Sequence, residues 1–388
     1  MGLNAAEIVD YLSDEGQLGP AEQSPWPAFE PNEGDLYLID WRGLFGGERS
    51  EPIFQGIDDP ELADAVGGAI GRGAPKEATG EADEVASRRP DVCAWYQPIH
   101  FHGLDWGIFI REDCLRSIAV DIARFVRPTG GYGGGPWSYL PELLRMAFAS
   151  LFLHEAYHHK TEALAIRLHV AERSPRYRSY WSNVYEPLAR PGAAGPLEEA
   201  LANADSYLRL AEPAYRRFVR NDVFQATRRY LKWRFPLDPP GYRDAAKYLK
   251  RPPNDDAQFI LRSQVQEAKV KPFRTPAQWR LAPNLNESLF GLSSDIWLVV
   301  PSGVLPSVPT FPLYRPVATR AIESALAREY GYARAKGGKG SHIKLKAADL
   351  PTLVLPGGRK DLSPPVLKSI AVALGFSDIG ELLHGLGL

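Results

Sequence analysis

The residues best suited to chemistry lie in one short stretch, LFLHEAYHHKTEALAIRLHV, at positions 151–170. It holds half of the chain's eight histidines, namely His154, His158, His159 and His169. Imidazole nitrogens and carboxylate oxygens are zinc ligands in proteins. The chain has only two cysteines, so a cysteine-based zinc cluster is excluded and any metal must be held by histidine and carboxylate.

The segment HEAYH within this stretch fits the pattern H-E-x-x-H. On a helix an i, i+4 pair turns by about 400°, so His154 and His158 project from one face and can bind a single ion. Glu155 is rotated by about 100° from His154, which places it beside the ion and suits a general base that takes a proton from a metal-bound water. The pattern therefore predicts two ligands and a base.

A catalytic zinc needs a third protein ligand, and the run EEALAN at positions 198–203 offers one. Glu199 is the predicted ligand, and Glu198 is the alternative. Asn203 lies one turn further on and is predicted to hydrogen-bond a ligand histidine. Glu162 is on roughly the ligand face of the first helix, but a third ligand from the same straight helix would strain a tetrahedral site.

Apolar periodicity predicts the elements that must position these side chains. A continuous helix is expected over about 139–172, and another helix begins at Leu197. Strands are expected at 35–41, 92–96, 106–110 and 295–300, with a helix over 112–126. The glycine- and glutamate-rich segment 67–89 is expected to be a mobile loop.

Together, HEAYH and EEALAN resemble the gluzincin metallopeptidases, in which HExxH is followed on a later helix by a ligand glutamate with an acid or amide four residues on. EEALAN also resembles the ImmA/IrrE branch of small bacterial HExxH peptidases. The resemblance covers about residues 92–210. It implies a zincin-like, mainly helical domain with a small edge sheet. In such folds an edge strand before the active-site helix pairs with extended substrate, and the strand at 106–110 is the candidate for this edge strand. No motif assigns a residue that stabilises the transition state; the candidates are His159, Tyr157, Tyr180 and Tyr185.

Two other readings of the histidines are weaker. Glu155 and His158 also form an ExxH pair of the di-iron type, but the only other ExxH is at Glu381 and His384, at the far C-terminus. His169 and the pair in IHFH are interpreted as ordinary polar residues.

The C-terminal residues 316–388 predict the order helix, three strands, helix and a final short helix. The run GKGSHIKLK…PTLVLPGGRKDLSPPVLKSIAVALGFS resembles HicA-type toxins, which are small mRNA interferases similar to double-stranded-RNA-binding domains. The resemblance implies that His342 acts on RNA, while phosphate is held by Lys336, Lys339, Lys344 and Lys346. PGGRKDL departs from the family by having Gly357 and Gly358 where a histidine often stands. RNA binding or protein docking without cleavage is therefore the alternative.

Charge is unevenly distributed, although the formal net charge is only −2. Residues 1–99 carry 20 acids and 6 Lys/Arg, whereas residues 208–281 carry 17 Lys/Arg and 7 acids, and residues 315–388 carry 11 and 6. This split predicts either an anionic partner for the basic segments or docking of the acidic segment on them, with 208–281 as the expected site.

Composition also limits the location of the protein. Two cysteines predict no disulfide framework. The longest apolar run, MAFASLFL, is far shorter than the roughly 20 residues that cross a bilayer, and the N-terminus lacks a signal-peptide pattern. We therefore expect a cytoplasmic protein without a membrane partner.

These observations predict an α+β protein in four parts: an acidic region with some strand and mobile loops at 1–91, a zincin-like metallopeptidase domain with a basic helical extension at 92–300, a proline-rich linker at 301–315, and an αβββα HicA-like domain at 316–388. The expected function is a Zn²⁺-dependent peptidase in a toxin or anti-phage defence effector, with a protein or peptide substrate. RNA and an antitoxin or regulatory protein are the other expected partners. The alternative is an RNA-binding or RNA-cleaving toxin with a structural metal site.

Overall fold

The computed structural model of the protein describes thirteen stretches of the chain. They are residues 5–24, 34–39, 59–75, 90–127, 136–217, 219–250, 252–270, 296–304, 306–308, 310, 317–335, 342–357 and 360–388. Lys336 and Lys339 lie outside these residues.

Helices dominate the described residues, and the strands are short. The helices are α1 (Ala5–Asp14), α2 (Pro60–Ala69), α3 (Pro90–Cys93), α4 (Ile99–His102), α5 (Glu112–Arg124), α6 (Leu140–Glu172), α7 (Tyr177–Tyr180), α8 (Glu186–Ala189), α9 (Leu197–Arg209), α10 (Pro213–Arg216), α11 (Asn221–Arg234), α12 (Pro253–Glu267), α13 (Thr319–Tyr330), α14 (Pro364–Leu374) and α15 (Ile379–Gly385). The strands are β1 (Asp35–Leu38), β2 (Ala94–Gln97), β3 (Gly107–Arg111), β4 (Ile296–Val300), β5 (Val317–Ala318), β6 (Ala333–Arg334), β7 (His342–Lys346), β8 (Leu353–Pro356) and β9 (Asp361–Leu362). This mixture of helices and small sheets agrees with the predicted α+β class.

Four strands form one mixed sheet in the order β1-β4-β3-β2. β4 pairs antiparallel with β1 and parallel with β3, and β2 pairs antiparallel with β3. The prediction that the strand at 106–110 is an edge strand is therefore wrong. β3 is bonded on both sides, because β4 arrives from much later in the chain and covers the edge that local sequence leaves open.

Both faces of this sheet are apolar. The side chains of Ile108, Ile110 and Leu298 belong to the main core, which also includes residues of α5 and α6. Trp95, Phe109 and Trp297 lie on the opposite face and form a separate buried cluster. Alternating side chains point to opposite faces of a strand, so runs that are apolar at every position, such as IWLVV in β4, produce a sheet buried on both sides.

The two helices predicted to hold the metal ligands pack against each other. Ser206 on α9 donates a hydrogen bond to the carbonyl of Ser150 on α6, with an O–O distance of 2.9 Å. Further along, Lys160 on α6 forms a buried ion pair with Asp205, with an N–O distance of 3.2 Å. Most residues of α6 are buried, and its sequence accordingly consists largely of small and apolar residues with polar ones between them.

The C-terminal residues adopt the predicted order of elements. β6, β7 and β8 form an antiparallel sheet, and β5 pairs with β9. The domain boundaries stay a prediction, but the apolar residues of this part, including Leu355 and Leu367, join the same core as the sheet and α6.

The acidic helix α1 lies between the C-terminal elements and the rest of the chain. It contacts β8 and α14 on one side and α4 on the other. Asp10 and Asp14 both form ion pairs with Lys344 on β7. Within 208–281, by contrast, the described ion pairs are with acids of α6, α9 or the segment itself, as between Arg220 and Glu142. Asp10 and Asp14 thus dock on the C-terminal sheet instead of on the predicted basic segment, whereas Asp59 of the same acidic region pairs with Arg116 on α5.

Three further features differ from expectation. α2 covers the start of the predicted mobile loop, and its N-terminus is capped by the Asp59 side chain, which accepts from the Leu62 N–H at 2.9 Å. A helical segment at 177–189 stands where only a loop is expected. Cys93 and Cys114 form a disulfide between α3 and α5, because the fold brings together two cysteines that are distant in sequence.

Among the described residues, no helix is both long and apolar enough to span a membrane.

Candidate metal centre

Three side chains converge between α6 and α9. The Nε2 atoms of His154 and His158 are 3.3 Å apart, and Glu199 Oε2 lies 3.2 Å from the first and 3.4 Å from the second. All three residues are buried. A tetrahedral zinc ion with bonds of about 2.0–2.1 Å would separate its ligand atoms by about 3.3 Å. The three atoms thus form a triangle with the edge length that one such ion requires, and we call it the ligand triangle.

The hydrogen bonds of His154 fix which of its nitrogens can bind a metal. Asn203 Nδ2 donates to the carbonyl of Tyr242 at 3.2 Å, so its Oδ1 faces His154 Nδ1 at 2.9 Å as an acceptor. The proton of the neutral imidazole is therefore on Nδ1, and Nε2 presents a lone pair to the centre of the triangle. This is the role predicted for Asn203.

His158 is oriented in the same way by a carboxylate. Its Nδ1 lies 2.8 Å from Glu198 Oε1, and Tyr180 donates a hydrogen bond to Glu198 Oε2 at 2.6 Å. A carboxylate only accepts, so His158 Nδ1 carries the proton and Nε2 faces the triangle. Glu198 therefore supports a ligand from behind, whereas Glu199 reaches the centre itself.

Glu199 is held by a tyrosine. The hydroxyl of Tyr185 donates a hydrogen bond to Glu199 Oε1, which leaves Oε2 for the ligand triangle. Burial raises the pKa of Tyr185 well above its usual value, and the charge of Glu199 adds to that rise, so the hydroxyl stays a donor. Tyr180 is likewise buried beside Glu198, and its pKa is raised well above the usual value.

The electrostatics of the ligand triangle favour a cation at its centre. Burial alone would raise the pKa of Glu199, but the neighbouring His158 and His154 outweigh it and lower that pKa. Burial alone would lower the pKa of His158, but the carboxylates of Glu199 and Glu198 raise it well above the usual value. Three acceptor atoms that face each other repel unless a positive charge lies between them. A proton on an imidazole can supply that charge, and a metal ion that binds there would displace the proton.

The side chains that reach Glu198 and Glu199 come from either end of a π-helical turn, Trp181–Tyr185, between α7 and α8. Tyr180 is the last residue of α7, and Tyr185 is the last residue of the turn. In an α-helix, residues five apart point about 140° away from each other. The wider turn of a π-helix reduces this angle and allows Tyr180 and Tyr185 to reach neighbouring carboxylates. Sequence reasoning misses this helix, although one signal was present. Apolar residues recur at the helical positions 177, 180, 181, 184, 185 and 188.

The other residues predicted for the site, Glu155, His159 and Tyr157, are not members of the ligand triangle. Glu155 is buried next to His154 on α6. His159 stacks on Trp106, with ring centroids 5.1 Å apart, and its Nδ1 is 3.0 Å from the Tyr96 hydroxyl, so it faces the sheet. Tyr157 is buried among the apolar residues of a second cluster.

Glu162 is engaged elsewhere and is not part of the ligand triangle. Its carboxylate accepts the backbone N–H groups of Ile99 and His100, at 3.0 and 2.9 Å, and the Tyr96 hydroxyl at 2.5 Å. The His100 ring also contacts it, with an N–O distance of 2.5 Å. These bonds attach α6 to the segment that follows β2.

The ligand triangle lies at the wall of a pocket with a volume of about 510 Å³. Glu199 belongs to both the ligand triangle and the pocket wall. Tyr185, which donates to Glu199, also lines the pocket, as does Tyr242, whose ring stacks on the His154 ring at a centroid distance of 5.6 Å. Glu155 is not among the lining residues. The site therefore has access to a space large enough for a ligand on the side of Glu199.

Of the residues predicted to act on or bind RNA, His342, Lys344 and Lys346 lie on β7. His342 is the first residue of β7, and its side chain is not described. Lys344 follows on the same strand and is held by α1, while Lys346 is exposed. Alternation along a strand places Lys344 and Lys346 on one face.

Comparison with known proteins adds no relative: no family model, no curated protein and no solved structure matches the chain.

Proposed function

We propose that the chain is a zinc-dependent peptidase. The observation that carries the proposal is the ligand triangle of His154, His158 and Glu199, whose carboxylate member lies in the wall of a pocket. Structural zinc sites use four protein ligands, whereas catalytic sites use three and keep one position open. Among the described residues three ligand atoms converge, which supports the catalytic type.

Zinc bound here would supply a Lewis acid for a scissile carbonyl and lower the pKa of a water molecule. Glu155 follows the first ligand on α6 and is proposed to take the proton of the attacking water and to pass it to the leaving amine. Asn203 and Glu198 hold the two imidazoles, and Tyr185 holds Glu199, so the donor atoms keep their positions during the reaction.

Metal content provides the first test. Purified protein should contain one zinc per chain by elemental analysis, and His154→Ala should lose it. His169→Ala is a matched control, since His169 is a buried histidine of the same helix near the Tyr11 ring, at a centroid distance of 5.3 Å. Equal metal content in the two variants would contradict the assigned site.

Activity provides the second test. Cleavage of casein or of a peptide library should disappear on chelation, return with Zn²⁺, and be lost in Glu155→Gln with metal retained. Zinc binding with no cleavage of any peptide would reject the peptidase and leave a structural metal site.

For the C-terminal residues we propose RNA binding, with the peptidase as the main activity. The observed order helix, three strands, helix supports this proposal, as do the lysines that alternate along β7. His342→Ala, compared with the unchanged chain after induced expression, tests for RNA cleavage. Unchanged total RNA in both cases would restrict this part to binding.

A further inference from the structure

The pocket beside the ligand triangle has mostly apolar walls, with three charged residues among them. It is formed by the π-helical turn with α8, by the loop at 190–196, and by residues 239–242. The rings of Trp181 and Tyr185 stack with their centroids 4.1 Å apart, and Tyr242 lines the pocket near Glu199. Pro196, Pro239 and Pro240 contribute further apolar surface.

The charged residues of the pocket neutralise each other. Arg190 donates to Glu186 with an N–O distance of 3.1 Å, and both side chains are exposed at the rim. Glu199 is occupied by Tyr185 and by the two histidines. A charged group of a ligand would lose water in this pocket without gaining a partner of opposite charge, which is unfavourable.

The two loops that form the pocket are in direct backbone contact. A Cβ atom at Gly195 would lie 2.0 Å from the Gly241 nitrogen and 2.2 Å from the Pro240 carbonyl carbon. The Gly195 N–H also donates to the carbonyl of Leu188 at 3.1 Å. The absence of a side chain at Gly195 thus lets the backbones of the two loops approach each other closely.

We propose that this pocket binds a large uncharged side chain, aromatic or aliphatic, of a peptide whose adjacent backbone lies at the ligand triangle. The inference rests on the proposed function and names its substrate class. A volume of about 510 Å³ exceeds that of one side chain, so the neighbouring peptide backbone fits as well. Burial of a phenylalanine instead of an alanine side chain corresponds to roughly a 10- to 100-fold preference.

Peptide binding tests this inference separately from turnover. Full-length Glu155→Gln protein is titrated, with and without one equivalent of Zn²⁺, with acetyl-Ala-Ala-X-Ala-Ala-amide, where X is Phe, Leu, Ala, Lys or Asp. Calorimetry or tryptophan fluorescence gives the affinity. The expected order is Phe and Leu above Ala by at least tenfold, with Lys and Asp no better than Ala. Equal affinity for all five peptides would overturn the inference.

Two neighbouring alanines provide a matched pair of variants. Ala193 lines the pocket, whereas Ala194 is exposed and is not among the lining residues. Ala193→Trp should reduce binding of the Phe peptide at least tenfold, and Ala194→Trp should leave it unchanged. If Ala193→Trp does not fold, as judged by circular dichroism, Ala193→Leu takes its place with a smaller expected loss.

The outcomes separate the two proposals. Selective binding that depends on Ala193, without cleavage by the unchanged protein, would keep the pocket and reject the peptidase. Cleavage that depends on Zn²⁺ but ignores X and is insensitive to Ala193→Trp would keep the peptidase and reject the pocket.

Discussion

Each ligand residue of the candidate centre is oriented by a residue behind it. Asn203 holds His154, Glu198 holds His158, and Tyr185 holds Glu199. Substitution of residues that orient metal ligands usually lowers metal affinity by a factor of about 10–100 without abolishing binding. The two glutamates of EEALAN therefore have separable roles, which metal titration can distinguish.

We expect Glu199→Ala to lose stoichiometric Zn²⁺ and Glu198→Ala to keep it with an affinity lower by roughly 10- to 100-fold. The reason is that only Glu199 places an oxygen in the ligand triangle. Competition with a chromophoric chelator measures both affinities. Loss of the metal in Glu198→Ala alone would assign the ligand to Glu198 instead.

The second residue-scale prediction concerns Glu162. Burial alone would raise its pKa, but hydrogen bonds from His100 and Tyr96 outweigh burial and lower it below 4.5. A carboxyl with a lowered pKa stabilises the fold fully above its unfolded pKa, and this contribution is lost as the pH falls through the folded pKa. Part of the free energy of unfolding should therefore be lost below about pH 4.5.

Glu162→Gln should lower the free energy of unfolding by roughly 3–5 kcal/mol at pH 7 and flatten its dependence on acid pH. Urea denaturation from pH 7 down to about pH 3, which spans the range where a lowered carboxyl pKa acts, measures both effects. Glu172→Gln is the control on the same helix, because its ion pair with Arg176 is partly exposed and should contribute about 1 kcal/mol or less. Equal losses in the two variants would contradict the role of the buried network.

At the scale of elements, the convergence of His154, His158 and Glu199 could be predicted because the spacing within each motif is local, while their binding of a metal stays a prediction. HEAYH and EEALAN each place their residues within about one helical turn, so the pattern alone specifies a face. The position of β3 inside the sheet, between β2 and β4, could not be predicted in this way. Its second neighbour, β4, follows more than 180 residues later, and nothing in GIFIR indicates that another strand will cover its free edge.

The helix α1 is a further element whose position depends on distant residues. Its apolar side chains Ile8, Val9 and Leu12 are buried, while Asp10 and Asp14 pair with Lys344. The charges are partly exposed and contribute little, so burial of the apolar face is what holds the helix in place.

Leu12→Asp should detach α1, whereas Asp14→Asn should leave it bound. The expected effect is faster amide hydrogen exchange in α1 and in β8, which α1 contacts. Hydrogen exchange followed by mass spectrometry measures it in both variants. Unchanged protection of α1 in Leu12→Asp would show that the ion pairs are sufficient.

At the scale of the whole molecule, the first and last parts of the chain meet in shared structures. β1 and β4 lie next to each other in one sheet, and α1 contacts the C-terminal elements. Apolar residues of the first, middle and last parts of the chain therefore share one core, and the predicted domain boundaries stay a prediction.

This arrangement predicts that β4, which lies between β1 and β3, contributes strongly to the stability of the whole fold. Leu298 is fully buried between β1 and β3, and Leu298→Ala should lower the free energy of unfolding by roughly 2–5 kcal/mol. Val304→Ala, at an exposed position beyond the strand, should change it by less than about 0.5 kcal/mol. Thermal unfolding of the zinc-bound protein measures both, and equal effects would contradict a central role for β4.

The order β1-β4-β3-β2 also has a consequence for synthesis on the ribosome. The strand that joins β1 to β3 emerges roughly 260 residues after β1, which corresponds to about 10–50 s of translation. Once residue 199 has been made, the growing chain has His154, His158 and both glutamates of EEALAN but an incomplete sheet. Completion of the sheet requires a long loop to close, so the candidate metal centre is expected to reach its final packing only after β4 has been synthesised.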